Sequence, residues 1–330
     1  MWEDILGNNQ HKKFLQHYLQ SDTRPHALLF VGAEGLGKRL LAMAFAKSLL
    51  CFNSVGNDNC QSCKQFAVGA HPDFVEVKLE DDKKTLTIDQ VRDLIAGSAF
   101  APTLGKNKVV LINDIDLMRT EAANAILKLL EEPPASWTII LTATKEERLL
   151  PTILSRVVTL RFKPLAAEDV KQVFSEQIDD KEHADIYARL SDGSIGMAIS
   201  LFEHDALDLR KHALKLLSSL PTRFPLNLAV ALEGELDEIK RLERVDIILW
   251  LRLLQLLLRD ILVLKTADYE LYNEDVHFEL QKIAANVTEY GIQKSLAEVE
   301  RANADLLGNV GVKQVLENLI LNINTELERR

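Results

Sequence analysis

The stretch LLFVGAEGLGKR, residues 28–39, decides the fold of this chain. Its apolar beginning is typical of a buried strand, and the glycines that follow form a loop that leads into a helix. In such a loop, backbone N–H groups turn inward around phosphate oxygens, a lysine adds charge and the helix N-terminus adds its dipole. The residues concerned are Gly32, Gly35, Gly37 and Lys38. The stretch predicts a strand, a degenerate phosphate-binding loop and a helix.

The loop is degenerate at the position after the lysine. The phosphate-loop pattern has Ser or Thr there, because its hydroxyl ligates magnesium, and this chain has Arg39. The stretch VVLINDID, residues 109–116, departs similarly: its strand ends in Asn113 and Asp114, where an NTPase has a magnesium-holding Asp and a water-activating Glu. Both changes weaken hydrolysis. In the alternative interpretation, Asp114 and Asp116 are only solvated carboxylates at a strand end.

Strand and helix patterns alternate around these two stretches, which is typical of a parallel sheet covered by helices. Apolar runs predict strands at 27–31, 73–77, 109–113, 138–142 and 157–161. Apolar residues at three-to-four spacing predict helices at 39–50, 88–100 and 120–131. We therefore expect an open α/β domain over residues 1–164, with a cysteine-containing insertion at 51–71.

Strand patterns stop after Lys163-Pro164-Leu165, and the rest of the chain is helical by periodicity. Residues 165–207 hold a few short helices and are few enough to form a lid. Residues 208–330 are rich in leucine, with stripes at 214–217, 249–258 and 315–321. These stripes predict the core of an all-α domain, or alternatively an exposed face for a partner.

Composition narrows the possible functions. The 330 residues include 39 basic and 49 acidic ones, a net charge of -10, which is opposite to the charge of a free-standing nucleic-acid-binding protein. The longest apolar stretch, 245–264, contains charged residues and predicts an amphipathic helix rather than a membrane span. Three cysteines form no disulfide framework in a chain of this length. They indicate a reducing cytoplasm and a possible metal site.

Further motifs carry a family resemblance. The main ones are AILKLLEEPP at 125–134 and LPTILSR at 150–156, and the others are RPHALLF at 24–30, HPD at 71–73 and KPL at 163–165. With them, the chain resembles bacterial clamp-loader AAA+ subunits over nearly its whole length. The resemblance implies a RecA-like AAA+ domain, then a three-helix lid at 165–207 and an α-helical collar domain at 208–330.

The resemblance also implies which branch of the family to expect. In the ATP-hydrolysing gamma/tau branch the lid helix begins with Gly-Ser-x-Arg, whose arginine senses the nucleotide, and this chain has Gly196 at that position. With Arg39 and Asn113, three nucleotide-handling positions are altered. This pattern resembles the delta-prime branch, a largely ATPase-inactive stator, and no functional Mg-ATP is expected.

Two alternatives remain from the sequence. The first alternative to the stator is a gamma/tau-like clamp-loader ATPase that still turns over ATP with Lys38 and Asp114. The second is an independent DNA-binding module, which the net charge of -10 opposes. For the leading interpretation, the partners implied are the gamma/tau and delta subunits. The sliding clamp and primer–template DNA are contacted through the assembled complex, and no membrane is expected as a partner.

The pair Ser155-Arg156 is kept, and the resemblance assigns it the role of an arginine finger that acts in trans. A guanidinium can reach across an interface and stabilise charge on a neighbour's transferring phosphoryl group. The alternative is a surface arginine at a strand end. Thr142 and Thr144 fall at the sensor-one place of AAA+ folds, where without a competent site their role is structural.

Family members carry four cysteines before the HPD motif, and these bind structural zinc. This chain has Cys51, Cys60 and Cys63. The expected fourth position is Asn57, a poor zinc ligand, so the fourth donor would be Asp58, His71 or a water. The alternative is three reduced thiols on a collapsed loop.

Overall fold

The computed structural model describes residues 2, 5, 7–21, 24–79, 85–97, 101–178, 180, 182–221, 242–266, 269–308 and 310–328. The chain divides into two compact units, Met1–Asp169 and Val170–Arg330. Within the described ranges, no helix is both long enough and apolar enough to cross a membrane.

The first unit is built on a parallel sheet of five strands. They are β1 (Ala27–Val31), β2 (Phe74–Val77), β3 (Lys108–Ile112), β4 (Trp137–Ala143) and β5 (Val158–Arg161), in the order β2-β3-β4-β1-β5. Every residue of β1, β3 and β4 is buried, whereas the edge strands β2 and β5 are partly exposed. Each predicted strand begins and ends within one residue of the observed one, so the α/β prediction is confirmed.

Helices follow the strands along the chain. They are α1 (Asn9–Gln20), α2 (Lys38–Leu50), α3 (Gln61–Ala67), α4 (Ile88–Gly97), α5 (Thr120–Glu131) and α6 (Pro151–Leu154). The three predicted helices are present, although residues 98–100 of the prediction lie outside the described residues.

The strand side chains alternate between two cores, one on each face of the sheet. Leu28 and Phe30 of β1 pack in one core with Phe45 of α2, and Leu29 packs in the other with Ile126 of α5. Because both faces are covered, the middle strands are continuous apolar runs. This burial fixes the strand ends from which the polar loops project.

The second unit is helical throughout the part that the structure describes. Its helices are α7 (Ala167–Gln177, which crosses the boundary), α8 (Ala184–Leu190), α9 (Ile195–Glu203), α10 (Ala206–Ser219), α11 (Arg244–Thr266), α12 (His277–Asn286), α13 (Glu289–Leu307) and α14 (Val312–Glu328). Most leucines of the stripes at 249–258 and 315–321 are buried, as a bundle core requires, but Leu321 is 42% exposed. The division of this unit into a lid at 165–207 and a collar at 208–330 stays a prediction.

Candidate functional site

The carboxyl ends of β1, β3 and β4 bring the phosphate-loop residues together at one edge of the sheet. The glycine-rich loop follows β1, Asn113 and Asp114 follow β3, and Thr142 lies one residue before the end of β4. Gly32 is required by close packing, because a Cβ there would lie 2.7 Å from the carbonyl oxygen of Phe162. A site of this kind is usual at the carboxyl edge of an open parallel sheet.

Lys38 begins α2, and its ammonium group is turned into the loop. Nζ donates to the carbonyl oxygens of Gly32 (2.6 Å) and Ala33 (2.7 Å). Burial lowers the pKa of Lys38, and the nearby Asp114 carboxylate opposes that shift. The lysine that the loop pattern places against a nucleotide phosphate therefore bonds to carbonyl oxygens of its own loop. We call this conformation the closed loop.

The two residues at the magnesium-ligand positions share one carboxylate, that of Glu76 on β2. Arg39 pairs with it in a bidentate geometry, with Nε to Oε1 at 2.7 Å and Nη2 to Oε2 at 2.9 Å. The amide Nδ2 of Asn113 donates to Oε1 of Glu76 at 2.8 Å. Burial alone would raise the pKa of Glu76, but these hydrogen bonds lower it, so the carboxylate is ionised at neutral pH. A guanidinium and an amide thus stand where the sequence pattern of an NTPase has the hydroxyl and the carboxylate that hold magnesium.

Polar contacts continue from Asn113 to the end of β4. The hydroxyl of Thr142 donates to Oδ1 of Asn113 at 3.5 Å and accepts from the backbone N–H of Asp114 at 3.0 Å. Burial raises the pKa of Asp114, and the Lys38 ammonium opposes that shift. The Asp116 carboxylate accepts backbone N–H groups of the loop after β4 at 3.1 Å each. Asp116 is thus bonded to this loop rather than simply solvated.

Ser155 and Arg156 lie in the turn between α6 and β5. The guanidinium of Arg156 bonds within its own chain: Nη1 donates to Thr152 O (2.8 Å) and to Ser155 Oγ (3.0 Å), and Nη2 pairs with Glu131 at 2.7 Å. The Arg156 side chain is 33% exposed. The guanidinium lies beside a shallow groove of about 650 Å³ that is lined by the starts of β1 and β5 and by the end of α5.

This groove lies at the edge of the sheet opposite to the phosphate loop. β5 runs parallel to β1, with Leu28 beside Val158 and Val31 beside Arg161. Arg156 precedes the start of β5, whereas the loop begins after Val31 at the other end of β1. The paired strands separate the two by about 13 Å at roughly 3.3 Å per residue. Arg156 therefore lies at the far end of these strands from the phosphate loop of its own chain.

The three thiols lie together in the insertion after α2. One ligand atom each from Cys51, Asp58, Cys60 and Cys63 lies within 4.8 Å of every other, and all three cysteines are free. Hydrogen bonds from Cys60 lower the pKa of Asp58, so its carboxylate is ionised, the form that binds metals. Tetrahedral zinc with bonds of about 2.0–2.3 Å places its ligands about 3.3–3.8 Å apart, so a small contraction of this set would fit the ion. Asn57 is not in the set.

His71 does not join the cysteines, because both ring nitrogens are bonded elsewhere. Nε2 lies 3.0 Å from Ser62 Oγ, whose hydroxyl donates to Leu50 O, and Nδ1 accepts from the backbone N–H of Asp73. Of the donors that the sequence left open, Asp58 is thus the protein group that lies with the thiols. The HPD motif instead connects the cysteine insertion to β2.

The chain is similar in sequence to known subunits of DNA polymerase III. A family model described as DNA polymerase III, delta subunit, matches residues 7–166. The DNA polymerase III subunit delta' of Escherichia coli K12 is 30% identical over 310 residues, which cover 92% of this chain and 90% of that protein. The chain belongs to the bacterial DNA polymerase III clamp-loader family.

Other known proteins are similar to this clamp-loader chain over different shares of its length. Subunit delta' of Pseudomonas aeruginosa PAO1 is 37% identical over 161 residues, but this match spans only 48% of the chain and 45% of that protein. The crystal structure of a DNA polymerase III gamma subunit-related protein from Thermotoga maritima has the same fold, with a TM-score of 0.50 at 18% identity over 96% of this chain and 99% of that one. Proteins named subunit tau and subunit gamma match too, so identity alone does not separate the branches of the family.

Two acidic residues of this clamp-loader chain were not identified as site residues from the sequence. Glu76, which pairs with Arg39, has a weak signal: it is the one charged residue of an otherwise apolar strand. Glu131, which pairs with Arg156, stands in a helix-end motif whose two adjacent glutamates look equivalent. Only the packing of α5 against α6 shows which of the two meets the arginine.

Proposed function

We propose that this chain is a delta-prime-type subunit of the DNA polymerase III clamp loader, a largely ATPase-inactive stator. It assembles with gamma/tau and delta subunits and helps to load the sliding clamp on primed DNA. The α/β unit carries the AAA+ functions, residues 165–207 form the lid, and the helices of 208–330 form the collar through which the subunits oligomerise.

One observation carries this proposal: the closed phosphate loop and Arg156 lie at opposite edges of the same sheet. At the loop edge, Arg39 and Asn113 bond to Glu76, and the ligands that would hold magnesium are replaced. At the other edge, a guanidinium lies at the surface beside a groove. This arrangement suits a chain that does not hydrolyse ATP itself but supports hydrolysis by a neighbour.

The chemistry at Arg156 follows from the guanidinium group. Its planar fork can donate to two phosphoryl oxygens and neutralise the charge that develops on the transferring group. Ser155 bonds to Nη1 and helps to set the direction of that fork. The residue is therefore an arginine finger that serves the ATP of an adjacent subunit.

ATP turnover tests this proposal in two preparations. The isolated chain should show no hydrolysis above background, and turnover abolished by Lys38→Ala would contradict the proposal. In the complex with gamma/tau and delta of the same organism, Arg156→Ala should leave the mass of the assembly unchanged. It should lower turnover at the one site served by about 10³-fold, so total turnover falls only in part. Arg156→Lys should not rescue turnover, because a point charge does not reproduce the fork.

A gamma/tau-like ATPase is the second candidate, favoured by the retained Lys38 and by the matches to proteins named tau and gamma. It requires magnesium-dependent nucleotide binding by the isolated chain. Calorimetric titration of ATP with and without magnesium separates the two candidates. Binding that needs magnesium supports the ATPase, whereas weak, magnesium-independent binding fits the stator.

For the insertion, we propose structural zinc held by Cys51, Cys60 and Cys63 with the Asp58 carboxylate as fourth ligand. The proximity of the four donor groups supports this assignment. When bound, the ion would cross-link a short loop that has little apolar core of its own.

A further inference from the structure

Arg156 contacts three groups of its own chain, two through hydrogen bonds and one through an ion pair, and they differ in charge. Thr152 O and Ser155 Oγ are neutral and belong to the same short helical turn as Arg156. Glu131 is anionic and comes from the end of α5. The hydrogen bonds use two of the five guanidinium N–H groups, both on Nη1, and Nη2 forms the ion pair with Glu131. The Nε hydrogen and an Nη2 hydrogen make no hydrogen bond to any residue that the structure describes, and two donors are what a bidentate contact with a phosphoryl group needs.

The carboxylate of Glu131 is itself held on a fixed support. Leu130, the residue before it, is buried, and its carbonyl oxygen lies 3.0 Å from Nε2 of His26. His26 immediately precedes β1, the strand in the interior of the sheet. Because the last turn of α5 is bonded to the beginning of β1, Glu131 has a defined place beside Arg156. A site on rigid elements is held more accurately than one on a loop.

We infer that Glu131 is a positioning residue for Arg156: it orients the guanidinium so that its two unbound donors are available to a neighbouring subunit's phosphoryl group. The inference rests on the proposed trans-acting role of Arg156. Glu131 does not contact the phosphoryl group and acts only through the arginine. Its ion pair with Nη2 is what this role requires.

The matched control is Glu132. It is adjacent, exposed and equally charged, and its side chain makes no hydrogen bond or ion pair within the described ranges. Glu131→Ala and Glu132→Ala therefore remove the same charge from the same helix end. Only the first removes a partner of Arg156.

The experiment measures ATP turnover of the clamp-loading complex reconstituted with each variant, after its mass has confirmed assembly. Glu131→Ala should lower kcat at the site served by about two- to fivefold, as for loss of one half-exposed ion pair. KM should not change, because the arginine acts on the transferring group. Glu131→Gln removes the negative charge of the ion pair and should lower turnover as Glu131→Ala does, whereas Glu132→Ala should match the unmodified chain.

A double-mutant cycle distinguishes failure of this inference from failure of the proposed function. If Arg156→Ala has no effect on turnover, the proposed function is wrong. If Arg156→Ala lowers turnover but Glu131→Ala leaves it unchanged or raises it, the positioning role alone is wrong. The same follows if the effect of Glu131→Ala persists in the Arg156→Ala background. Should Glu131→Ala fail to assemble, Glu131→Asp replaces it, because it keeps the charge but withdraws the carboxylate by one methylene, and the same loss is expected.

Discussion

Asp73 is a buried carboxylate of the α/β unit that accepts hydrogen bonds from the backbone. It is 1% exposed, and its carboxylate accepts the backbone N–H groups of Thr103, Leu104 and Gly105. Asp73→Asn replaces one acceptor oxygen by a donor facing these N–H groups. We expect a loss of about 1.5–3 kcal/mol in the free energy of unfolding, measured by urea denaturation. Asp89→Asn, at an 80% exposed side chain, is the control and should change stability little.

The same residue gives the unfolding free energy a dependence on pH. Burial would raise the pKa of Asp73, but the three backbone hydrogen bonds lower it below its ordinary value of 3.8. The unfolded chain therefore binds a proton at a higher pH than the folded chain does. The stabilisation is complete above about pH 5 and is lost as the pH falls through the folded-state pKa. Between about pH 5 and pH 3, the wild type should lose more stability than Asp73→Asn, and parallel curves would contradict this.

The cysteine insertion, residues 51–71, is the element whose metal content can be tested directly. Protein purified under reducing conditions should contain close to one zinc per chain if the four donors hold the ion. Asp58→Ala should lower that content, whereas Asn57→Ala, one residue away and outside the donor set, should not. Zinc well below one per chain in the unmodified protein would rule out the assignment.

Zinc removal should act only on this element. Hydrogen exchange should increase near the thiols after chelation, while β1 and β3, buried on both faces, stay protected. The reason is that the buried residues of both cores of the sheet lie outside the insertion, which adds only the partly buried Phe66. Loss of protection throughout the sheet would contradict this prediction.

The elements themselves were predictable from the sequence to different degrees. Strands such as β1 are continuous apolar runs because helices cover both faces, so their limits follow from the residues alone. The fourth member of the cysteine set was predictable only as one of Asp58, His71 or a water, because counting positions led to Asn57, a poor ligand. The fold of the loop shows that Asp58 lies with the thiols. The pairing of Arg39 with Glu76 was hidden for a similar reason: it joins residues 37 positions apart through the order of the strands.

The whole molecule is acidic, and this sets what it can bind without partners. At a net charge of -10, it lacks the positive charge that releases counterions from a DNA backbone. We expect no saturable binding of primer–template DNA by the isolated chain up to about 100 µM at low salt, followed by fluorescence anisotropy. Tight, salt-dependent binding would instead support an independent DNA-binding module.

The placement of a closed loop at one edge of the sheet and an arginine at the other gives the molecule a direction. Copies or relatives that join in a row, each arginine edge against the next loop edge, form a head-to-tail rather than a two-fold contact. A subunit in which only the arginine edge is functional can complete a neighbour's site, but no neighbour can complete one on it. Such a subunit marks the end of a row of active sites, and one copy is enough to make the assembly asymmetric.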